Sequence, residues 1–459
     1  MGDAVRSGPL QARTLRRTRA GPLTPQTATA DPNTQPSPAA TLPMATVEAT
    51  PPACRFCGAP LEQTFVDLGM SPLCERFLRA DQLDQMEPFF PLHVRVCSSC
   101  LLVQLPAYVS PEEIFREYAY FSAYSESWVE HARAYVEAIS ARFGLGSKSQ
   151  VVELASNDGY LLQHFVARGV PALGIEPALN VAEAARARGV ETMTEFFGRQ
   201  LAESLVADGR AADLVIGNNV LAQVPDLNDF VAGIARLLKP NGVATLEFPH
   251  LARLIEEVQF DTIYHEHFSY FSAGVVARIA EAHGLVFFDV EELPTHGGSL
   301  RAYLARRDGP PRPPSDRLRD LLARERAAGY DRLDGYAGFA PRVEAVKRDL
   351  LAFLIEARRA GRRVAGYGAP GKGNTLLNYC GIRGDLLEFT VDRNPYKHGR
   401  FTPGTHIPIH QPEYLTQQRP DLVLILPWNL RTEIAAQLTG IREWGGRLFV
   451  AIPRLELLP

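Results

Sequence analysis

Val151-Val152-Glu153-Leu154-Ala155-Ser156-Asn157-Asp158-Gly159-Tyr160 decides the fold class. Its first residues form a short apolar run of the kind a strand shows when both its faces are buried. Ser-Asn-Asp-Gly then turns the chain into a helix predicted to begin at Leu161 and run to Arg168. The alternation continues with strands at Ala172–Ile175, Leu214–Gly217 and Val243–Phe248, and helices at Val181–Arg188 and Leu227–Leu238. Strands alternating with helices predict a doubly wound, mostly parallel Rossmann-like sheet. In such sheets ligands bind at the carboxyl ends of the strands, where this glycine-bearing turn lies.

The turn is not G-x-G-x-x-G, so a dinucleotide pyrophosphate lacks its usual cradle. Glu153 on the strand is suited to a positively charged amino-acid ligand. Glu176, in Gly174-Ile175-Glu176-Pro177, ends the next strand and suits two ribose hydroxyls. Asn218-Asn219 end the Leu214–Gly217 strand, where a donor group would meet its acceptor. This order of acid, glycine turn, acid and polar strand end resembles S-adenosylmethionine-dependent methyltransferases of class I. The resemblance implies cofactor contacts from Glu153, Ala155, Asn157, Asp158, Gly159, Glu176, Asn218 and Asn219. A generic Rossmann-like domain that binds NAD, or nothing, is the competing reading.

Upstream, Cys54-x-x-Cys57 and Cys97-x-x-Cys100 have the paired spacing that delivers four thiolates to one structural zinc ion. Only six cysteines occur in 459 residues, which argues against a disulfide framework. Cys74 and Cys380 read as small apolar residues. Strands are expected at Thr64–Leu68 and His93–Val96.

The segment from Met1 to about Ala53 is rich in Pro, Ala, Thr and Arg and cannot form a core. Arg6, Arg13, Arg16, Arg17 and Arg19 superficially suggest a transit peptide, but the preferred reading is a disordered extension, with Met44 as an alternative start. The net charge of -4 argues against a nucleic-acid protein. No stretch approaches the roughly 20 apolar residues of a membrane span. Free thiols suit a reducing, cytoplasmic setting.

After the Pro-rich hinge 309–314, Asp316–Arg359 reads as a connector helix packed on both neighbours. A second strand–helix series follows, with strands at Val364–Gly366, Glu388–Asp392, Leu422–Leu426 and Leu448–Ile452. The expected divisions are therefore 1–53, 54–116, 117–306 and 307–459, the last a C-terminal Rossmann-like α/β domain.

The densest group of proton-handling side chains is Tyr264-His265-Glu266-His267-Phe268-Ser269-Tyr270. His265 and His267, two apart, are expected to point the same way, so a metal site with His296 or His250 competes with a general-base site. The base reading fits better: an imidazole, a carboxylate beside it and a phenol for a developing oxyanion. Thr295-His296-Gly297-Gly298-Ser299-Leu300-Arg301 is a second polar turn that could border the same pocket. In Gly366-Tyr367-Gly368-Ala369-Pro370-Gly371-Lys372-Gly373-Asn374, open amides and Lys372 suit a diphosphate, although the final pair of a P-loop is absent.

Both C-x-x-C pairs, Tyr118-Ala119-Tyr120-Phe121-Ser122, the Ser-Asn-Asp-Gly turn, the Tyr264–Ser272 cluster, His296–Arg301, and the Gly366–Ala369 turn with Lys372, Asn378 and Tyr379 occur in that order. From Cys54 to the C-terminus the chain resembles the zinc-containing nucleotide-sugar C-methyltransferases of deoxysugar and antibiotic biosynthesis. The resemblance implies a thymidine-diphosphate 4-keto-6-deoxyhexose as substrate, methylated at C3. By motif, His267 would be the base, Glu266 and Tyr264 would orient the sugar or stabilise the enolate, and Tyr118 would touch substrate. His296, Ser299, Arg301, Tyr367, Lys372, Asn374, Asn378, Asp392 and Asn429 are expected substrate contacts. Gln223 departs from the pattern, since most relatives carry histidine there and glutamine cannot carry a proton at neutral pH. Two alternatives remain open at this point: methylation of another position or a heteroatom, and a non-catalytic nucleotide-sugar-binding protein. A monomer or weak homodimer is expected.

Overall fold

A computed structural model describes residues 51–110, 114, 122–124 and 126–459. The expected extension up to residue 50 and the Tyr118 contact lie outside the described residues.

The described residues open on the first cysteine pair and then form β1 (Gln63–Ser71), β2 (Phe90–Val96) and β3 (Val103–Gln104), paired antiparallel in sequence order. β1 alternates imperfectly, because its register shifts twice against β2.

The sheet anticipated from the opening motif follows. β4 (Val151–Leu154), β5 (Ala172–Ile175), β6 (Glu191–Met193), β7 (Ala212–Asn218) and β8 (Leu238–Pro249) are all parallel to their neighbours within this set. β4 is buried at all four positions, Glu153 included, as a strand covered on both faces requires. The helix Leu227–Leu237 covers the sheet with six buried residues and is capped by Asp226, whose side chain accepts from the Asp229 N–H.

β9 (Ser269–Tyr270) leaves this sheet and pairs with β3, becoming the fourth strand of the first one. β10 (Leu285–Leu293) and β11 (Ser299–Arg306) return to form an antiparallel edge against β8. The resulting order is β10-β11-β8-β7-β4-β5-β6, with the topological switch between β4 and β7.

The connector forms two helices, Asp316–Ala327 and Phe339–Arg359, instead of one. Gly329, at φ +86°, takes the chain out of helical geometry between them. The first helix is capped by Ser315, which accepts from the Leu318 N–H. From it, buried Glu325 accepts from the Ala273 and Gly274 N–H groups (2.8 and 2.9 Å) and pairs with His250 at 2.8 Å. At the start of the second, the Phe339 ring stacks on Phe65 of β1 at 4.5 Å and 7°. With Lys347 Nζ donating to the Tyr379 carbonyl at 2.6 Å, the connector packs on both the central and the C-terminal domain, and on the first module as well.

The last sheet contains β12 (Val364–Tyr367), β13 (Thr390–Val391), β14 (Ile409–His410), β15 (Leu422–Ile425), β16 (Arg447–Val450) and β17 (Glu456–Leu457). Its order is β14-β13-β12-β15-β16-β17, parallel except for β17. All three sheets lie within one compact unit, Pro51–Pro459. Among the described residues no helix is long and apolar enough to cross a membrane.

Candidate active site

The four cysteines converge. Their Sγ atoms all lie within 4.8 Å of one another, with Cys54–Cys100 at 3.6 Å and Cys57–Cys97 at 3.5 Å. A tetrahedron with Zn–S bonds near 2.3 Å has edges of about 3.8 Å, so this donor set fits zinc. Gln104 donates its side-chain N–H to Cys54 Sγ at 3.0 Å and the Cys100 N–H points to Cys97 Sγ, hydrogen bonds that support thiolate charge. Cys54 is pushed down to about 4, chiefly by its hydrogen bond with Cys100. No disulfide joins the six cysteines.

A cavity of about 490 Å³ opens at the carboxyl ends of β4, β5 and β7, a usual size for a small-molecule site. Its wall combines three parts of the chain: Cys74 and Glu75 from the loop after β1, the strand ends of the central sheet, and Pro370, Gly371 and Lys372 after β12. The approach is tight. A Cβ on Gly371 would lie 2.9 Å from Cys74 Sγ. Cys74 is buried with its thiol 3.8 Å from Glu266 Oε1, so it borders the site and is more than core filling.

Of the expected cofactor contacts, Ala155, Asn157, Glu176, Asn218 and Asn219 line this cavity. Ala155, Asn157 and Asn219 hold φ near +50°, a conformation that costs free energy in residues with a Cβ and collects at functional sites. The Glu176 oxygens accept from the Asn157 and Ala178 N–H groups, both at 2.9 Å, which fixes the carboxylate at the rim. Asn219 gives its amide N–H to His296 Nε2 at 3.0 Å, while its carbonyl oxygen is buried without a partner. Fixed carboxylate, strained turn and orphaned acceptor fit an adenosyl amino acid.

Glu153, Asp158 and Gly159 stand behind that wall. Glu153 is 1% exposed, and burial, then Glu176 and Asp158, push its pKa well up. It therefore underlies the turn instead of meeting a ligand's ammonium directly. Asp158 pairs with Arg188 at 3.0 Å and accepts from the Ala123 N–H.

His267, Glu266, Tyr264, Gln223, His296 and Lys372 share the cavity with the cofactor group. His267 Nδ1 donates to the Thr262 carbonyl at 2.9 Å, which leaves Nε2 without a proton. Burial, with the nearby charges of His296 and Lys372, pulls its pKa down to about 4. His296 is held down to about 4 by burial and Lys372, and its ring meets Trp128 edge-on at 5.2 Å. Tyr264 is pushed well up by burial and by Cys74, Glu266 and Glu75, so it stays a neutral hydrogen-bond donor. Gln223 ends a short 3-10 turn, Leu221–Gln223, on the same wall.

The two histidines expected to point together diverge. His265 turns to the zinc module, with Nε2 at 3.3 Å from the Pro91 carbonyl and its ring edge-on to Phe90. The segment is a turn, so strand alternation does not apply there. His250 is spent on Glu325. Among the described residues only the four cysteines form a metal-type cluster.

The remaining expected substrate contacts are engaged elsewhere. Arg301 binds Glu247 (2.7 Å) and Glu291 (2.9 Å) beneath Tyr135, and with His131 it helps hold Glu247 down to about 2 against burial. Ser299 donates to the Thr295 carbonyl. Tyr367 is buried against Gln437. Asn374 donates to the Cys74 carbonyl, and Asn378 to the Asn374 and Pro403 carbonyls. Asp392 accepts from the Ala369 N–H, and Asn429 accepts from Lys372 at 2.9 Å. These bonds shape the wall without lining it. Sequence reading missed Cys74, Glu75, Trp128, Phe196 and Thr262, none of which sits in a spaced motif.

The same three parts appear in comparisons with known proteins. Residues 54–115 match the zinc binding domain family, 128–289 the methyltransferase domain family, and 294–453 the C-methyltransferase C-terminal domain family. The C-methyltransferase NovU of Streptomyces niveus is 37% identical over 407 residues, covering 88% of this chain and 96% of the relative. Solved structures align more distantly. The magnesium protoporphyrin IX methyltransferase ChlM of Synechocystis PCC 6803 has a TM-score of 0.31 at 14% identity, over 39% of this chain and 83% of its own. YcgJ of Bacillus subtilis has 0.32 at 11%, over 39% and 100%. Likenesses that distant say nothing about the reaction, but the near-complete relative does: with its zinc-binding module and S-adenosylmethionine-dependent core, the chain belongs to the C-methyltransferase family.

Proposed function

We propose that the enzyme methylates a carbon beside the ketone of a nucleotide-linked 4-keto-6-deoxysugar, thymidine-diphosphate-linked and at C3. The observation that carries this reading is the His267 tautomer. With Nδ1 committed to the Thr262 carbonyl, Nε2 is left as the acceptor of a ring that lines the cavity and is neutral at physiological pH.

Carbon has no lone pair to offer an electrophile, so a C-methyltransferase needs a base, and a carbon next to a ketone is acidic enough for an imidazole once the enolate oxygen is stabilised. When bound, S-adenosylmethionine supplies a methyl group on a positively charged sulfur. Glu176, Asn157, Asn218 and Asn219 would hold it at the strand ends. His267 would take the proton, while Tyr264 and Glu266 orient the sugar. Gln223 would hydrogen-bond the sugar without exchanging a proton. A thiol, two carboxylates and a lysine among its lining residues suit a polar substrate rich in hydroxyl groups.

Incubation with S-adenosylmethionine and thymidine-diphosphate-4-keto-6-deoxyglucose or its 2-deoxy analogue tests this. A product heavier by one methylene, with the new methyl on C3 by nuclear magnetic resonance, is expected. No methylated product from any nucleotide ketosugar would overturn the reading.

A further inference from the structure

We propose that Lys372 is the electrophile that stabilises the enolate oxygen, and that Asp261 is its positioning residue. This rests on the ketosugar reading above.

Lys372 enters the cavity from the first turn of the helix Gly371–Cys380, on the wall it shares with His267, His296 and Tyr264. Its Nζ donates to Asn429 Oδ1 at 2.9 Å and lies 5.0 Å from the centre of the Trp428 ring. Among the described residues no carboxylate oxygen lies within 4.0 Å of that ammonium. Its positive charge is felt by both His267 and His296, which places it within electrostatic reach of the base. An ammonium held without a carboxylate partner keeps N–H donors for an incoming anion, and in a desolvated cavity they act strongly on developing charge.

Asp261 holds this arrangement from below. It is fully buried, and its Oδ2 accepts the Trp428 Nε1 proton at 2.7 Å. Trp428 in turn packs closely on Gly297, where an added Cβ would stand 2.5 Å from its ring. Asp261 is also the residue before Thr262, whose carbonyl sets the His267 tautomer. One short turn, Phe260–Thr262, therefore places the base through its backbone and the electrophile through its side chain. In the step itself, the C–H bond beside the ketone breaks and its proton goes to His267 Nε2. The electron pair forms the C=C bond, and the carbonyl π pair moves to the oxygen that Lys372 meets.

Purified wild type, Lys372→Met, Lys372→Arg and Asp261→Asn are compared on thymidine-diphosphate-4-keto-6-deoxyglucose. The readouts are kcat, KM and deuterium uptake from solvent beside the ketone, with circular dichroism and S-adenosylmethionine calorimetry to verify folding. Lys372→Met should lower kcat and exchange together by about a hundredfold or more, with KM within about threefold, and Lys372→Arg should recover part of the loss. Asp261→Asn keeps a hydrogen-bond acceptor but removes the charge that favours the ammonium, so the alkaline limb of the kcat profile should move to lower pH. A raised KM with unchanged kcat in Lys372→Met, or full exchange, overturns this assignment alone. A wild type that neither methylates nor exchanges any nucleotide ketosugar overturns the substrate reading and this assignment with it.

Discussion

The rings of His267 and Tyr264 lie face to face, 4.1 Å between centroids and tilted by 34°. The contact fixes the imidazole plane while Thr262 fixes its tautomer, so orientation and protonation are set independently. His267→Ala should lower kcat by about 10²–10⁴-fold, the usual worth of a positioned base. S-adenosylmethionine affinity by calorimetry should stay within about twofold, because His267 lies outside the Glu176 and Asn219 group.

Acid should weaken the fold through the two buried neutral histidines. His267 and His296 both fall from 6.5 to about 4 in the folded chain, first through burial. Between those values the unfolded chain binds more protons than the folded one, so stability drops as pH falls from about 6.5 towards 4. His267 alone accounts for about 2 kcal/mol at pH 5. Urea midpoints measured at pH 7 and pH 5 should diverge less in His267→Gln than in wild type.

Much of the fold was legible because strands such as Ala172–Ile175 and Leu422–Ile425 are covered on both faces and leave unbroken apolar runs, while Val151–Leu154 leaves one interrupted only by Glu153. The connector reads as one helix in the sequence because Leu, Ala and Arg periodicity persists on both sides of Gly329, where the backbone turns out of the helix. The first cysteine pairs were readable from spacing. Cys74 and Glu75 were not, since only tertiary packing brings a loop of the first module against Gly371. The Asp261–Trp428 bond joins residues far apart in sequence and belongs to no local pattern.

Loss of the metal should reach the base. Atomic emission should find one zinc per chain, and a strong chelator or Cys100→Ser should abolish it and lower thermal stability. Activity should fall with it, because β3 carries Gln104 against Cys54 on one side and pairs with β9, next to His267, on the other. Retained activity in a zinc-free preparation would contradict this.

Glu325 tests the connector. It serves the Ala273 and Gly274 N–H groups and His250 at once while 5% exposed. Glu325→Ala should cost about 3–5 kcal/mol by leaving buried partners unsatisfied, and Glu325→Gln less. Denaturant titration of both variants reads the difference.

Steric closeness at the cavity wall is also testable. Gly371→Ala should destabilise by about 1–3 kcal/mol, since the added methyl meets Cys74 Sγ at 2.9 Å. Combining it with Cys74→Ala should recover most of that loss in thermal melts.

The strand Ser269–Tyr270 is the last rung of a sheet whose other three strands precede the central domain. A ribosome must therefore deliver the chain beyond Tyr270 before the first module can complete its ladder. Until then the Val103–Gln104 edge stays open to any passing strand, so nascent chains stalled within the central domain are the ones most in need of a chaperone.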